Sequence, residues 1–345
     1  MNRWVVILAG GVGSRFWPLS TPERPKQLLP LVNDKPLLVN TLSRLTEVAP
    51  ASRTLILTNA SLVAPISAAA PEVPAENIIA EPKPAGTAAA LAWAALEIEK
   101  RSGTGATMIC VHADWAIADD AGFRDALLAA ERVAIEEQSL VTVGIVPTRP
   151  DPGFGYIQPG EETASGARKV TRFVEKPDRP RAEWMLHEGY LWNSGIFVWR
   201  VGDFLAEVRE HTPEVSESIE KHAASGLAAF FDSVTPISVD NGVLERSSRV
   251  RVVPGDFGWD DVGTWAALRR VKAEDAAGNV SSGRVHALDS TGNVVHAEGN
   301  AVVLYGVSDL VIVTRGGLTL VTTADKSADL KKLIDSLPSD LRDLA

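Results

Sequence analysis

The sequence predicts an α/β protein with a Rossmann-like, mostly parallel sheet and a small β-rich module at its carboxyl end. Three observations predict this fold. Short apolar runs alternate with helical periodicity from residue 4 to residue 146, glycines directly follow the first apolar run, and short β-type runs prevail after residue 276. Because 345 residues exceed one usual domain, we expect a large domain over residues 1–275 and the β-rich module over residues 276–345.

The first part alternates strands with helices. The predicted strands are Trp4–Ala9, Thr54–Thr58, Thr107–Val111 and Leu140–Val146, and the predicted helices are Lys35–Ala49, Thr87–Arg101 and Phe123–Glu137. Lys100 and Arg101 end the second helix before Gly103, which suits the carboxyl end of a helix dipole. Alternation at this spacing implies right-handed crossovers and a parallel sheet that is covered on both faces.

The rest of the chain has a different pattern. Between Pro147 and Gly263, loops and short β runs surround two helical segments near Pro180–Glu188 and Val201–Glu210. After Ala276 the short β runs are Arg284–Leu288, Asn293–His296, Ala301–Leu304, Leu310–Val313 and Leu318–Val321. Their spacing of roughly 8–9 residues predicts a small all-β module, for which a β-solenoid is one option, and Ser327–Leu337 is predicted to close it as a helix.

Composition limits the partners of this chain. It carries 34 Lys and Arg against 44 Asp and Glu, a formal net charge of −10. Affinity for a nucleic-acid backbone needs a basic face, so we expect no nucleic-acid partner, while a few local cations could still hold a small phosphorylated ligand. No apolar run is long enough to span a membrane, so we expect no membrane association. The single cysteine, Cys110, excludes an internal disulfide and fits a reduced, cytoplasmic setting.

The strongest local signal is a glycine loop after the first strand. It runs Leu8-Ala9-Gly10-Gly11-Val12-Gly13-Ser14-Arg15 and is followed by Pro25-Lys26-Gln27-Leu28-Leu29-Pro30. Glycines let backbone amides approach phosphate oxygens closely, and Arg15 and Lys26 bring two cations to the same edge of the sheet. The loop is neither the dinucleotide fingerprint nor a Walker A sequence. A glycine turn with solvated charges explains the same residues about equally well.

Four further segments carry candidate functional groups. They are His112-Ala113-Asp114, Phe173-Val174-Glu175-Lys176-Pro177, Trp192-Asn193-Ser194-Gly195-Ile196-Phe197 and Gly258-Trp259-Asp260-Asp261-Val262-Gly263. Asp114 falls at the carboxyl end of a predicted parallel strand, where α/β proteins bind ligands. Taken singly, each segment also has a structural explanation: a strand-end cap, a surface ion pair, a β-bulge and a helix N-cap.

Together and in this order, the segments resemble those of the sugar-1-phosphate nucleotidylyltransferases, over essentially the whole chain. The resemblance is strongest to the branch that converts GTP and mannose 1-phosphate into GDP-mannose and pyrophosphate. It implies a nucleotidyltransferase catalytic domain over residues 1–275 that uses Mg²⁺. Two positions depart from the family pattern. His112-Ala113-Asp114-Trp115 replaces the usual Pro-x-Asp-His, and Phe154 stands where a smaller or different residue is common.

The resemblance implies a role for each candidate residue. Arg15 and Lys26 are the expected catalytic cations on the triphosphate, and Asp114 and Asp261 are the expected Mg²⁺ ligands. The expected nucleotide-binding residues are Leu8, Ala9, Gly10, Gly11, Gly13, Ser14, Glu81, Gly86 and Thr87. The expected sugar-phosphate-binding residues are Gly155, Glu175, Lys176, Asn193 and Asp260, and support of the metal site is the alternative role for Asp260. A homodimer is one assembly open to such a protein.

Glu81 is the residue that points to guanine. Family members that use thymidine or uridine triphosphate usually have glutamine at this position. A carboxylate only accepts hydrogen bonds, and guanine offers two donors on one edge, N1–H and the 2-amino group. A loop-capping role for Glu81 is the plain alternative.

Two other functions stay open at this point. One is a nucleotidylyltransferase for another nucleoside triphosphate or another sugar 1-phosphate, which a substrate panel would identify. The other is an inactive homologue that senses a nucleotide sugar. Such a homologue would be expected to lack Arg15, Lys26 or a metal-binding aspartate, and all of these are present.

Overall fold

The computed structural model describes residues 2–11 and 13–342, apart from the side chains of Ser14 and Ala223. Its strands are β1 (Arg3–Leu8), β2 (Thr54–Asn59), β3 (Ile78–Glu81), β4 (Thr107–His112), β5 (Leu140–Ile145), β6 (Tyr156–Glu162), β7 (Arg168–Val174), β8 (Leu191–Arg200), β9 (Val250–Gly255), β10 (Val280–Leu288), β11 (Val294–Tyr305), β12 (Leu310–Arg315) and β13 (Leu318–Thr323). Its helices are α1 (Leu37–Leu45), α2 (Val63–Ala69), α3 (Gly86–Ser102), α4 (Asp120–Glu136), α5 (Arg179–His187), α6 (Val201–His211), α7 (Pro213–His222), α8 (Leu227–Ser233), α9 (Leu268–Val271), α10 (Leu330–Ser336) and α11 (Ser339–Arg342). Each strand and helix predicted before residue 146 is present.

The first nine strands form one sheet in the order β3-β2-β1-β4-β8-β5-β9-β7-β6. β3, β2, β1 and β4 pair in parallel, and so do β5 and β9. β8 lies antiparallel between β4 and β5, and β7 lies antiparallel to both β9 and β6. The predicted mostly parallel sheet is therefore a mixed sheet, and its parallel half carries the glycine loop.

β8 is the strand that makes the centre of the sheet mixed. Trp192, Ile196 and Trp199 are buried, as expected for a strand with neighbours on both sides. In the sequence this strand lies in a stretch of loops, and an apolar run does not reveal the direction in which it pairs. Its register places Asn193 opposite Gly144 of β5, at the same edge of the sheet as several candidate site residues.

The sheet separates two hydrophobic cores, as the alternation along β1 shows. Val5 and Ile7 point into the core shared with α1 and α4, while Trp4 and Val6 point into the core shared with α3 and α6. The expectation of a sheet covered on both faces is confirmed. Among the described residues, no helix has both the length and the apolar character needed to cross a membrane.

The carboxyl-terminal module is a four-stranded sheet in the order β10-β11-β12-β13. β10, β11 and β12 pair in parallel, and β13 pairs antiparallel to β12. The two runs predicted between residues 293 and 304 form one strand, because β10 pairs with both halves of β11 across a register shift at Gly283. This sheet is not in itself a solenoid. The predicted closing helix consists of a 3-10 turn, Lys326–Asp329, followed by α10.

A third core joins the module to the first domain. Its members include Phe16, Trp17, Leu19, Trp265, Val280, Val294, Val311 and Leu330. Arg315 of β12 adds hydrogen bonds from Nη1 to the carbonyl oxygens of Pro18 and Leu19, at 3.1 and 2.9 Å. The module therefore supports the segment that directly follows Arg15.

Candidate active site

A cavity of about 680 Å³ lies at the carboxyl ends of β1, β2, β3 and β4. The residues lining it include Leu8, Ala9, Gly10, Gly11, Thr58, Asn59, Glu81, Gly86, Thr87, His112 and Asp114. This edge is where open α/β sheets bind ligands, and the volume suits a small-molecule site. Eight predicted site residues thus line one cavity. Seven of them precede residue 90 in the sequence, and the eighth is Asp114.

Two buried side chains hold the end of β1 in place. Gln27 Nε2 and Thr58 Oγ1 both donate to the carbonyl oxygen of Ala9, at 2.7 and 3.1 Å. These two hydrogen bonds satisfy the Ala9 carbonyl oxygen. The backbone that follows, at Gly10 and Gly11, is exposed and lines the cavity. Neither Gln27 nor Thr58 was among the predicted site residues, although Gln27 belongs to the Pro25–Pro30 segment.

Gly13 packs closely against Lys26, and this contact holds the glycine loop beside that lysine. Its φ is +65°, and a Cβ at this position would lie 2.4 Å from the Cβ of Lys26, so no side chain fits. Arg15 follows as an exposed residue of a 3-10 turn, with Nη1 3.4 Å from where a Cβ on Gly263 would stand. Arg15 therefore lies beside the Asp261 loop rather than in the cavity lining. The side chain of Ser14, a predicted nucleotide contact, is outside the described residues.

The buried Lys26 brings the two predicted metal ligands together. Its Nζ donates to Asp114 Oδ2 at 2.9 Å and to the backbone carbonyl oxygen of Asp261 at 2.5 Å. The loop that carries Asp261 lies close to Lys26 because the backbone of Asp260 pairs with that of Ala116, two residues after Asp114. The strand-end aspartate and the aspartate of the distant loop thus meet at one lysine.

Burial and the neighbouring charges shift the pKa values of the Asp114 and Asp261 carboxyl groups in opposite directions. Although burial raises it, Lys26 and His112 hold the pKa of Asp114 below its ordinary value. Burial raises the pKa of Asp261 above its ordinary value, and Asp260 adds to the rise. The ionised form of Asp261 is therefore disfavoured where it stands, and a bound cation would stabilise it.

The donor set fits a hard divalent cation. The Asp114 and Asp261 side chains are 34% and 31% exposed, so both carboxylates are partly accessible, and Asp114 lines the cavity. Mg²⁺ is typically held by one or two carboxylates together with substrate phosphates and water. Asp114 and Asp261 are the residues that would hold it.

Glu81 faces the same cavity from the end of β3. Its Oε1 lies 3.9 Å from where a Cβ on Gly10 would stand, so the carboxyl group is directed towards the glycine loop. Burial raises the pKa of Glu81 from 4.5 to about 7. The carboxyl group is thus partly shielded from solvent in a ligand-sized cavity.

Gly86 and Thr87 begin α3 and pack against a distant segment. Gly86 has φ +81°, and a Cβ there would lie 2.2 Å from the carbonyl oxygen of Ile237. Thr87 Oγ1 accepts a hydrogen bond from the backbone N–H of Val239 at 2.9 Å. Both residues line the cavity, but the Thr87 hydroxyl is already engaged by protein.

Four predicted sugar-phosphate residues form a second group. The backbone N–H of Asn193 donates to the carbonyl oxygen of Gly155 at 2.8 Å. A Cβ on Gly155 would lie 2.8 Å from Glu175 Oε2, and Glu175 Oε1 accepts from Lys176 Nζ. Lys176 is 65% exposed, so its ammonium can reach a ligand. Asp240 also contacts this group, although it was not among the predicted site residues. It accepts a hydrogen bond from Asn193 Nδ2 at 2.7 Å.

His112 stands between the two groups. It lines the cavity, and its Nε2 lies 3.0 Å from where a Cβ on Gly195, two residues beyond Asn193, would stand. Burial lowers the pKa of the imidazole below its ordinary value, although Asp114 and Asp240 oppose the change. The cavity, which is predicted to take the nucleotide, and the second group, which is predicted to take the sugar phosphate and is called the sugar-side group below, are therefore adjacent.

Two family models match this chain. Residues 4–278 match a family model described as nucleotidyl transferase, and residues 283–337 match one described as a MannoseP isomerase/GMP-like beta-helix domain. The chain belongs to the nucleotidyl transferase family.

Relatives of this transferase include two curated enzymes called mannose-1-phosphate guanylyltransferase. The enzyme of Escherichia coli (strain K12) is 37% identical over 98% of this chain and 74% of its own length. The enzyme of Salmonella muenchen is 36% identical with the same coverage of both chains. A solved structure from Thermus thermophilus, described as a mannose-1-phosphate geranyltransferase, has 36% identity and a TM-score of 0.89, covering 97% of this chain and 99% of its own.

Asp260 of the transferase does not join the other predicted sugar-phosphate-binding residues; its carboxylate instead pairs with Arg270. Its two carboxylate oxygens accept from Arg270 at 2.6 and 2.9 Å, and Oδ1 also accepts from the backbone N–H of Val262 at 2.8 Å. The side chain is 7% exposed. These contacts hold the loop that carries Asp261, and a sugar contact by Asp260 stays a prediction.

Both departures from the family pattern belong to one aromatic cluster of the transferase. Trp115 packs against His112 and Trp259, with ring centroids 5.1 and 6.0 Å apart. Phe154 packs against Trp192 and Trp259, at 4.9 and 5.3 Å. These aromatic side chains therefore fill the space between the loop that carries Asp261 and β8.

Proposed function

We propose that this transferase moves GMP from GTP to mannose 1-phosphate, giving GDP-mannose and pyrophosphate. The observation that carries the proposal is the position of Lys26. Its ammonium contacts both the Asp114 carboxylate and the Asp261 carbonyl at the edge of a nucleotide-sized cavity. The sugar-side group around Asn193 lies across His112 from that cavity. The names of the relatives support the same substrates.

The chemistry needs no activated protein nucleophile. A phosphate oxygen of the sugar 1-phosphate attacks the α-phosphorus of GTP, and the bond from that phosphorus to the oxygen bridging to the β-phosphate breaks. Pyrophosphate leaves with the electron pair. Because both reactants are anions, the protein has to offset their repulsion and hold them in line. Arg15 and Lys26 would bind the triphosphate and the leaving pyrophosphate, and the exposed Lys176 would bind the phosphate of the sugar.

Asp114 and Asp261 would hold Mg²⁺, which when bound supplies Lewis-acid polarisation of phosphate oxygens. Lys26 shares the Asp114 carboxylate with that site. We propose that Lys26 shifts its hydrogen bonds from Asp114 to phosphate oxygens when substrates bind. A buried ammonium keeps its charge paired in both arrangements.

Glu81 would read guanine, and the sugar-side group would read the sugar hydroxyls. The ionised Glu81 can accept from both N1–H and the 2-amino group, which favours guanine over uracil or thymine. Glu175, Asn193 and the backbone of Gly155 would bind hydroxyl groups of the sugar. Discrimination by such sites is steep, because a missing hydroxyl leaves a buried polar group unpaired.

Several structural predictions accompany this function. We propose that the parallel strands β10, β11 and β12 are one wall of a short β-solenoid, which the second family match supports. The break between the two matches supports a division near residue 275.

The buried thiol of Cys110 is compatible with a cytoplasmic location. The homodimer stays a prediction.

A pyrophosphate-release assay tests the proposed function. The protein is incubated with Mg²⁺ and each pairing of GTP, ATP, UTP or dTTP with mannose 1-phosphate or glucose 1-phosphate. We expect the highest kcat/KM for GTP with mannose 1-phosphate. A different preferred pair would keep the reaction and replace the substrates. Absence of release with every pair would favour the inactive nucleotide-sugar sensor.

A further inference from the structure

Asp240 contacts the sugar-side group from a segment to which sequence analysis assigned no function. It is the first residue of a π-helical turn, Asp240–Leu244, and turns of this kind are frequent at functional sites. Its Oδ1 accepts from Asn193 Nδ2 at 2.7 Å. The imidazole of His112 and the carboxylate of Glu175 are near enough to influence the Asp240 carboxyl group electrostatically.

The contact with Asp240 fixes which way the Asn193 amide points. A carboxylate only accepts hydrogen bonds, so the amide nitrogen of Asn193 has to face Asp240. On the other side, the backbone N–H of Gly195 donates to Asn193 Oδ1 at 3.3 Å. A flipped amide would set oxygen against the carboxylate and nitrogen against an N–H. Asn193 therefore has one favourable orientation, in which its second Nδ2 hydrogen is directed away from Asp240.

The segment that carries Asp240 is anchored on the nucleotide side of the site. The N–H of Val239 donates to Thr87 Oγ1 at 2.9 Å, and the N–H of Ala88 donates to the carbonyl oxygen of Ile237 at 3.2 Å. From the other end, Thr212 Oγ1 donates to the carbonyl oxygen of Gly242 at 2.6 Å. Asp240 is thus held relative to the start of α3, which lines the nucleotide cavity.

We propose that Asp240 is a positioning residue for sugar recognition. It keeps the Asn193 amide oriented so that nitrogen, and not oxygen, is presented to the sugar 1-phosphate. The preferred substrates would be those that place a hydroxyl oxygen as acceptor at this point. The inference rests on the proposed function, because it assigns Asn193 to the sugar.

Steady-state kinetics with each substrate varied separately tests the role. Asp240→Ala removes the acceptor, and we expect the KM for sugar 1-phosphate to rise about tenfold while the KM for the nucleotide changes less than about twofold. Asp240→Asn keeps an oxygen that can accept from Asn193, so it should restore most of the loss. Asn241→Ala, on the same turn, is the matched control and should behave as wild type. An equal rise in both KM values would overturn the proposal.

An exchanged pair separates positioning from a purely structural contact. The double variant Asn193→Asp/Asp240→Asn keeps a hydrogen bond between the two positions but reverses the donor, so a carboxylate faces the sugar. We expect a melting temperature near that of wild type and a KM for sugar 1-phosphate that stays at least about tenfold raised. Recovery of the wild-type KM would show that the pair is only structural and would overturn the proposal. This measurement also decides the matter if Asp240→Ala fails to fold.

The two proposals fail in different ways. The wild-type substrate panel alone judges the proposed function, and the variants are then assayed with the pair that wild type prefers. If that pair is not GTP with mannose 1-phosphate, the substrate assignment is wrong while the Asp240 comparison still applies.

Discussion

Lys26 and Asp114 form an ion pair of 2.9 Å in which the lysine side chain is 7% exposed and the aspartate side chain 34%. The ammonium is therefore enclosed by protein, while the carboxylate remains open to the cavity. Mg²⁺ and Lys26 would compete for this one carboxylate. We therefore expect binding of metal and triphosphate to be coupled, since phosphate oxygens would offer Lys26 a replacement partner if Asp114 bound the metal.

The two aspartates proposed to bind the metal should differ in their effect on stability. Asp114→Asn and Asp261→Asn are each expected to lower kcat at least ~100-fold, the scale of losing a strong electrostatic contact. Asp114→Asn also removes the counter-charge of buried Lys26, so we expect it to cost on the order of 1–3 kcal/mol, less than for a fully buried pair. Asp261→Asn keeps the backbone carbonyl that Lys26 uses and should unfold like wild type.

Thermal unfolding and single-turnover rates of both variants check this prediction. Near-normal turnover in Asp261→Asn would contradict its assignment to the metal. Asp260 would not simply replace it, because both of its oxygens accept from Arg270.

Lys176 should affect only one of the two substrates. It is 65% exposed, and its described ion pair is with Glu175, which is 56% exposed. We expect Lys176→Ala to raise the KM for sugar 1-phosphate about tenfold or more, with little change in stability. Lys26→Ala and Arg15→Ala should instead lower kcat with every sugar phosphate, since both are proposed to bind the triphosphate. An unchanged KM for sugar 1-phosphate in Lys176→Ala would remove it from the acceptor site.

Residues at strand ends could be predicted, because parallel strands deliver their carboxyl ends to one edge. Ala9 and Asp114 stand at the ends of predicted strands and line one cavity, whereas Glu81, which lines it too, is expected from the family resemblance alone. Asp240 could not be predicted in this way. It reaches Asn193 only because residues 237–239 pack on the start of α3, a contact between segments about 150 residues apart.

The adjacent aspartates Asp260 and Asp261 show a second limit of sequence analysis. As neighbours of the same type they are chemically equivalent in the sequence. Their roles separate in the fold, where Arg270 engages the carboxylate of Asp260 and Lys26 contacts the carbonyl of Asp261. The direction of β8 is a similar case, since burial predicts a strand but not its pairing.

The carboxyl-terminal module should support catalysis through the segment after Arg15. Arg315→Met removes the hydrogen bonds to the carbonyl oxygens of Pro18 and Leu19 while keeping much of the side-chain volume. We expect a loss of about 1–3 kcal/mol in the free energy of unfolding and a lower kcat with every nucleotide. Arg284→Met, on the exposed surface of the same module, is the control. Chemical denaturation and the pyrophosphate assay measure both effects, and unchanged kcat would show that the module does not support the site.

GTP binding should strengthen as the pH rises from 6 to 8. The pKa of Glu81 is raised from 4.5 to about 7, so the free protein carries this group mostly protonated at pH 6 and mostly ionised at pH 8. The proposed contact with guanine needs the ionised form, and we expect about tenfold weaker binding at pH 6 from this group. In the free protein the sign is opposite: the contribution of Glu81 to stability is present below pH 4.5 and is lost as the pH rises through 7.

Calorimetric titration of GTP between pH 6 and pH 8 checks the pH prediction. In Glu81→Gln this residue no longer titrates, whereas GTP itself still does, so the difference between the two profiles reports Glu81. Parallel profiles would show that the carboxyl group does not contact the base.

Replacing Glu81 with glutamine should change the choice of nucleotide. The amide keeps the size of the side chain but exchanges one acceptor for a donor, which would face a guanine donor. The lost hydrogen bond and the mismatch are worth roughly 1–3 kcal/mol in a desolvated site, so kcat/KM for GTP should fall about 10- to 100-fold. UTP use should fall less or rise, since an amide matches the mixed edge of uracil. Measuring kcat/KM for both nucleotides in both proteins gives the ratio. If that ratio does not change, Glu81 does not read the base, and selectivity has to come from backbone groups near Gly86 or in the Ala113–Trp115 loop.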